Sequence, residues 1–184
     1  MALLTKKELN DIMSGIEFEF LYFLQSLHTP WLDLFMKTIT SLGDHGFIWI
    51  IIGIVLLCKK KTRFIGLCIL LSLAAGYVIG NIFLKNFIAR ERPNWLDESL
   101  LLLIRNPEDY SFPSGHTLAS FEGAVSIWLY NRKWGTLALV LAALIAFSRM
   151  YLFVHFPTDI LGGLILGTLI AFLVHWIVER RRIG

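Results

Sequence analysis

The stretch from Phe64 to Leu84 contains no charged residue. A helix needs roughly 20 apolar residues to cross the hydrocarbon core of a bilayer, so this stretch alone is long enough to span a membrane. The composition agrees, because 56% of the residues are hydrophobic and only 17% are charged, whereas soluble domains carry about 25% charged residues. These values exclude a soluble globule, a disordered chain and a nucleic-acid-binding protein with a broad basic face.

Five further apolar segments complete a predicted six-transmembrane-helix bundle. Ile160–Val178, Ser114–Tyr130 and Trp134–Val154 are each long enough to cross or nearly so. Gly46–Cys58 is short and must borrow the residues before it to span. The weakest segment, Phe18–Leu42, is interrupted by a His-Thr-Pro sequence. It predicts either one kinked crossing or an interfacial helix followed by a crossing. We therefore predict an all-α integral membrane protein with a single domain over residues 1–184.

The basic residues fall mainly on one side of this predicted bundle. If the N-terminus is cytoplasmic, eleven of the 17 basic residues lie on the inner side, in the direction that the positive-inside rule requires. They are Lys6, Lys7, Lys59, Lys60, Lys61, Arg63, Arg132, Lys133, Arg180, Arg181 and Arg182. We interpret them as topology anchors. The prediction is a multi-pass protein of the cell (plasma) membrane with cytoplasmic N- and C-termini.

One long extracytoplasmic loop, from Lys85 to Pro113, connects the predicted third and fourth helices. Long loops inside compact domains are usually functional or disordered. Within it, the apolar run Leu100–Ile104 predicts a short interfacial helix. Arg92 lies in the loop, and Arg149 lies toward the same face inside an apolar helix. Because an arginine at that depth is costly, it is a candidate functional residue.

Two histidines lie on the same face as these cations. His116 follows a Pro-Ser-Gly sequence at the expected start of the fourth helix, where unpaired N–H groups and a glycine suit a bound phosphate. His155 is followed four residues later by Asp159, whose carboxylate can hold one imidazole nitrogen and leave the other as a nucleophile or base. Cations on this face match the charge of a phosphate monoester. No pair of carboxylates is placed to hold a metal, so the sequence favours metal-free chemistry.

Three sequence patterns contain these residues: Lys85-x6-Arg92-Pro93, Pro113-Ser114-Gly115-His116 and Ser148-Arg149-x5-His155-x3-Asp159. Together they resemble the three-part motif of the type 2 phosphatidic acid phosphatase superfamily. The motifs span Lys85 to Asp159, and the six-helix layout extends the resemblance over most of the chain. The small chain resembles the bacterial members, which include phosphatidylglycerophosphatase B and undecaprenyl diphosphatases.

The resemblance implies a role for each motif residue. His155 would attack phosphorus and form a phosphohistidine, Asp159 would orient it, and His116 would act as general acid and then general base. The residues implied to bind the phosphate are Lys85, Arg92, Ser114, Gly115 and Arg149. The resemblance further implies hydrolysis of a lipid phosphate or diphosphate at the outer leaflet without metal or other cofactor. Phosphatidic acid, phosphatidylglycerol phosphate and undecaprenyl diphosphate are the candidate substrates.

Two other functions remain open at this stage. Intramembrane charges also mark transport pathways, so a lipid-phosphate binding or transport protein that does not hydrolyse is an alternative. A phosphotransferase with an acceptor other than water is another. Glu122 lies outside the motif and either tunes the pocket or packs between helices. The sequence indicates neither the lipid nor the oligomeric state.

Overall fold

The protein is described by a computed structural model that covers the backbone of residues 6–183 and the side chains of residues 15–182. Within this part of the chain the structure is helical and has no strand. The helices are α1 (Lys6–Ser26), α2 (Pro30–Leu42), α3 (Phe47–Leu57), α4 (Arg63–Gly76), α5 (Lys85–Ile88), α6 (Pro93–Leu96), α7 (Gly115–Tyr130), α8 (Arg132–Tyr151) and α9 (Pro157–Ile183). The predicted anchors Lys6 and Lys7 have side chains outside the described residues.

Among the described residues, three helical stretches are long and apolar enough to cross a membrane: Arg63–Leu96, Arg132–Tyr151 and Pro157–Arg182. Pro30–Leu42 and Asp44–Leu57 reach this length only together, and they are bent by 43° at the break. The multi-pass membrane protein predicted from the sequence is therefore confirmed in its coarse form. The count of six crossings is not, since the α7 helix has only 16 residues against the roughly 20 that a straight crossing needs.

Close backbone contact between α7 and α9 brings the starts of these two helices together. Gly163 and Gly167 lie one turn apart on α9, where a Cβ would be 2.7 Å from the Ser114 carbonyl and 2.6 Å from the Leu118 carbonyl, respectively. Small residues at this spacing let membrane helices approach closely. Asp159, at the start of α9, consequently lies beside the start of α7, where its carbonyl accepts a hydrogen bond from the Ser114 N–H at 3.1 Å.

A buried tryptophan holds α3 against α7 in the middle of the bundle. Trp49 is fully buried, and its Nε1 donates to Ser120 Oγ at 3.1 Å. Its ring lies over Gly123, where a Cβ would be 2.4 Å from the indole. Replacing a buried tryptophan by alanine typically costs about 3–5 kcal/mol. This contact fixes α3, and thereby the turn that precedes it, against the helix that carries His116.

The helix that begins as α4 widens before it reaches the loop. Tyr77–Leu84 is π-helical over 8 residues and continues directly into Lys85 and α5. Short π-helical segments are frequent at functional sites. Gly80 in this segment faces α7, because a Cβ there would be 2.4 Å from Leu118. The segment thus places Lys85 at the end of the bundle where α7 begins.

The predicted helix over Leu100–Ile104 is wrong. These residues have irregular backbone. Leu102 and Ile104 pack against a buried cluster that includes Tyr151 and Val154, at the turn between α8 and α9. Leu102 and Ile104 are half-buried against this cluster, and this packing holds the segment in an irregular conformation.

Candidate active site

Six of the eight predicted site residues line one cavity at the loop end of the bundle. The cavity has a volume of about 670 Å³, and the six are Lys85, Arg92, Gly115, His116, Arg149 and His155. Its other wall is apolar and includes Ile50, Leu70, Leu73 and Tyr77. The cavity therefore joins a polar end that suits an anionic headgroup to an apolar end that suits a lipid tail.

Ser114 and Gly115 shape the start of α7. Ser114 is fully buried, and its Oγ accepts hydrogen bonds from the Thr117 N–H at 3.4 Å and the Thr117 hydroxyl at 3.0 Å. The hydroxyl predicted to bind phosphate thus caps α7 and does not line the cavity. Gly115 faces Asn81, whose Oδ1 would be 2.9 Å from a Cβ at this position. Any side chain there would push into the cavity wall.

His155 is buried in the turn between α8 and α9, with 2% of its surface exposed. Its Nε2 lies 3.1 Å from Arg92 Nη1, and its Nδ1 lies 3.4 Å from Ser111 Oγ. Because a guanidinium only donates, Nε2 must present a lone pair, and the ring proton resides on Nδ1. Burial, followed by the positive charges of Arg92 and Arg149, lowers the pKa of His155 well below its usual range. The imidazole is therefore neutral, with its basic nitrogen at the cavity.

Asp159 lies next to His155, and Ser111 contacts both side chains. Its Oδ2 lies 3.5 Å from His155 Nδ1 and accepts hydrogen bonds from the Ser111 hydroxyl and from the Phe156 N–H at 2.8 Å. The Ser111 contact was missed by the sequence analysis, which contained no signal for it. Ser111 and Asp159 together hold the Nδ1 side of the ring.

The second oxygen of Asp159 is held by an arginine that the motif does not include. Arg90 Nη1 donates to Asp159 Oδ1 at 2.7 Å and to Thr158 Oγ1 at 2.6 Å, while Arg90 Nη2 donates to Glu17 Oε2 at 2.5 Å. Glu17, on α1, also accepts from the Thr158 N–H at 3.0 Å. Arg90 was visible in the sequence as part of a basic pair with Arg92. Glu17 was not, because nothing in its spacing points to this site.

Lys85 and Arg92 already bind a carboxylate. The two oxygens of Asp109 accept from Lys85 Nζ and, at 2.7 Å, from Arg92 Nη2. Both cations are buried, whereas the Asp109 side chain is 57% exposed. Partial burial acts to raise the pKa of Asp109, but the Lys85 ammonium and the Arg92 guanidinium outweigh it and lower the pKa to about 2. Asp109 is therefore an ionised two-oxygen anion on the predicted phosphate-binding cations.

Arg149 has no carboxylate partner among the described residues, unlike Lys85 and Arg92. It is 4% exposed, its Nη1 donates to Thr40 Oγ1 at 2.7 Å, and its Nε has no hydrogen-bond partner among the described residues. A buried donor without a partner is costly. Arg149 lines the cavity and so retains capacity for an anion.

His116 is held by an aspartate from the turn between α2 and α3. His116 Nε2 lies 2.9 Å from Asp44 Oδ1. The turn reverses through left-handed backbone at His45 (φ 52°) and Gly46 (φ 69°). Gly43 permits the approach, since a Cβ there would be 2.8 Å from the His116 ring. Asp44 was missed by the sequence analysis, although a Gly-Asp-His-Gly turn between apolar helices was a visible signal.

Glu122 lies at the apolar end of the cavity. It is 1% exposed and lines the wall, and its Oε1 has no hydrogen-bond partner among the described residues. The carboxyl packs against Gly76, where a Cβ would be 2.0 Å from Oε1.

No group of three or more His, Cys, Asp or Glu side chains within residues 15–182 is placed to hold a metal ion. Metal-free and cofactor-free chemistry remains a prediction from the sequence.

Comparisons with known proteins agree with this architecture. The family model described as PAP2 superfamily matches residues 65–183. An undecaprenyl-diphosphatase from Sulfolobus acidocaldarius is 38% identical over 135 residues, which are 72% of this chain and 65% of that protein. Phosphatidylglycerophosphatase B from Bacillus subtilis is 33% identical over 168 residues, which are 84% of this chain and 79% of that protein. The match to the Sulfolobus protein thus spans slightly less than two thirds of its length.

Solved structures show the same fold. A transmembrane PAP2-type phosphatidylglycerolphosphate phosphatase from Bacillus subtilis aligns with a TM-score of 0.76 and 31% identity, over 93% of this chain and 88% of that one. LpxE from Aquifex aeolicus aligns with a TM-score of 0.71 and 28% identity, over 86% and 94% of the two chains. The three motifs, the helical bundle and these similarities lead to one conclusion: the chain belongs to the PAP2 superfamily of membrane lipid phosphatases.

Proposed function

We propose that this protein hydrolyses a membrane lipid phosphate or diphosphate through a phosphohistidine on His155 and releases inorganic phosphate. The observation that carries the proposal is the arrangement around one cavity. The neutral His155 presents its Nε2 lone pair beside Arg92, and His116, Lys85 and Arg149 line the same space. Phosphoryl transfer depends mainly on positioning and on stabilising charge, and these residues supply both.

In the first step, His155 Nε2 attacks phosphorus while the bond between phosphorus and the lipid oxygen breaks. His116 gives a proton to the leaving oxygen. The imidazole ring becomes positively charged in this step. Its Nδ1–H faces Ser111 and Asp159, which stabilise this charge. In the second step, a water molecule gives its proton to His116 and attacks phosphorus. The N–P bond breaks, and phosphate leaves with His155 neutral again.

Asp109 supports the assignment of the cations to phosphate binding. Its two carboxylate oxygens contact Lys85 and Arg92 in the way that two phosphate oxygens would. A lipid phosphate carrying about two negative charges at neutral pH displaces this single carboxylate. Arg149, which has an unpartnered Nε, then supplies a third contact. The substrates to be compared are phosphatidylglycerol phosphate and undecaprenyl diphosphate, which the names of the relatives support, and phosphatidic acid, which the motif resemblance implies.

The experiment that tests the proposal measures phosphate release from these lipids by the purified protein in detergent. We expect His155→Ala to abolish turnover. With labelled substrate and an alkaline quench, the wild type should carry an acid-labile phosphohistidine that His155→Ala lacks, and His116→Ala should lose turnover because both steps use its proton transfer. His175→Ala is the matched control, since His175 lies toward the C-terminal end of α9 and does not line the cavity. Full activity in His155→Ala, or lipid binding without turnover by the wild type, would contradict the proposal.

We also propose the topology of six crossings with cytoplasmic termini and an outer-leaflet site. The basic runs before α4 and at the end of α9 lie at the end of these helices opposite the cavity, as the positive-inside rule favours. In a Cys58→Ser background, a membrane-impermeant thiol reagent applied to intact cells should label Leu101→Cys, which is 97% exposed in the long loop. It should not label Lys61→Cys. The reverse pattern would overturn the orientation.

A further inference from the structure

A second cavity lies at the end of the bundle opposite the candidate active site. Two basic runs that are far apart in sequence meet there, one before α4 and one at the end of α9. Together they line a cavity of about 1020 Å³. The basic residues on its walls are Lys60, Lys61, Arg63, Arg181 and Arg182. The sequence placed these residues on one side of the membrane but gave no indication that they share a cavity.

One ion pair among the described residues, that of Arg182 with Glu179, offsets part of the positive charge around this cavity. Within residues 15–182, no aspartate or glutamate side chain lines the cavity. The guanidinium carbons of Arg63 and Arg182 lie 4.9 Å and 4.8 Å from the ring centre of Phe64, so one ring holds two like charges near each other. Among the residues that the structure describes here, Glu179 contacts Arg182 at 3.3 Å, and it also accepts from the Tyr130 hydroxyl at 2.6 Å. Like charges gathered in this way attract an anion.

The rest of the cavity wall combines the polar side chains of Thr62, Tyr130 and Asn131 with an apolar groove. Phe64, Ile65, Leu67 and Leu71 of α4 contribute to it, as do Ile177 and Val178 of α9. The side chains of Leu71 and Ile177 are 45% and 39% exposed. A small hydrated anion would leave this apolar groove uncovered, whereas an acyl chain covers it. Basic pockets between membrane helices bind anionic lipid headgroups for this reason.

We infer that this cavity binds an anionic phospholipid of the leaflet opposite the active site. The lipid phosphate lies among the five basic side chains, and one acyl chain lies in the groove between α4 and α9. The site is separate from the catalytic cavity, because α4 and α9 each run from one end of the bundle to the other. The inference therefore does not depend on the proposed phosphatase activity.

The test is a titration of the purified full-length protein with defined lipids, followed by native mass spectrometry. Phosphatidylglycerol is expected to bind, whereas phosphatidylcholine and inorganic phosphate at equal concentration are not. Lys60→Gln/Lys61→Gln/Arg181→Gln removes three cavity charges and should weaken phosphatidylglycerol binding roughly a hundredfold. The control Lys59→Gln/Lys133→Gln/Arg180→Gln removes three charges from the same end outside the cavity lining, and should weaken it only about fivefold.

A second variant tests the groove without changing charge. Leu71→Trp fills the apolar groove with a larger side chain and is expected to weaken binding of phosphatidylglycerol. Binding of a glycerol phosphate that carries only short acyl chains should not change. Phosphate release in the active-site assay should stay within about twofold of wild type in all three variants. Equal losses of phosphatidylglycerol binding in the two triple variants would show that binding depends only on general charge attraction. This result would overturn the inference. Binding of inorganic phosphate as tight as that of the lipid would overturn it as well.

Discussion

Both ends of the bundle contain clustered positive charges, but these charges are buried and paired at one end and exposed at the other. At the loop end, Lys85 and Arg92 are buried and hold the carboxylate of Asp109. At the opposite end, Lys61 and Arg181 are exposed and line a cavity without acidic residues. Burying a cation is costly unless an anion accompanies it. The loop end therefore carries its own counter-anion, Asp109, whereas the exposed cations at the other end are left to water or lipid.

The largest effect expected from this contrast is on catalysis. Arg92→Gln removes a donor beside His155 Nε2 and should lower phosphate release about 10²–10³-fold, the range found when a charge-stabilising donor is lost. Arg181→Gln removes the same charge from the opposite end and should change the rate less than about twofold. Steady-state assays on both variants check this. Similar losses of phosphate release in both variants would mean that the charges at the two ends do not differ in their importance for catalysis.

The next effect concerns the ion pairs behind His155. Glu17→Gln removes the carboxylate that binds Arg90 Nη2, and Glu17 is 7% exposed. Because a buried hydrogen bond to a charged group is lost, we expect the free energy of unfolding to fall by about 1.5–3 kcal/mol. Thermal unfolding in detergent measures the change. Glu19→Gln, at an exposed position on the same helix, is the control and should unfold like wild type.

A smaller effect tests whether Asp109 is exchangeable. Asp109→Asn removes the charge that competes for Lys85 and Arg92, so orthovanadate should inhibit about tenfold more tightly and KM should fall with kcat little changed. Since the pKa of Asp109 is lowered to about 2, its carboxylate stays ionised and this difference from wild type should be constant between about pH 5 and pH 8. Its contribution to stability is present above the unfolded pKa of about 3.9 and is lost as the pH falls through 2. Weaker vanadate inhibition would show instead that Asp109 only positions the cations.

The smallest effect is expected at the exposed end. The Arg182–Glu179 pair is 3.3 Å apart, and its side chains are 49% and 26% exposed. Exposed pairs of this kind contribute about 0–1 kcal/mol. Arg182→Gln should therefore leave the unfolding temperature in phosphatidylcholine micelles almost unchanged. A loss as large as that of Glu17→Gln would break the distinction between the two ends.

The sequence predicted the motif residues and most helices, because both leave local signals. The segment Ser114–Tyr130 was predicted within one residue of α7, and five motif side chains with polar groups meet in one cavity. The partners of those side chains were not predicted. Asp44, Ser111 and Asp109 lie in turns or irregular backbone, where neither periodicity nor spacing tells which residue they contact. The six crossings were counted from hydropathy, which does not reveal that Asp44–Leu57 bends away from the preceding helix.

The apolar wall of the catalytic cavity has a consequence for how reaction rates are measured. Ile50, Leu70 and Leu73 extend the cavity from its polar end along the apolar helices of the bundle. A substrate that enters sideways never leaves its leaflet, so its concentration is two-dimensional. Turnover should follow surface-dilution kinetics, in which velocity depends on the mole fraction of substrate within mixed micelles or vesicles and is insensitive to the bulk amount at fixed mole fraction.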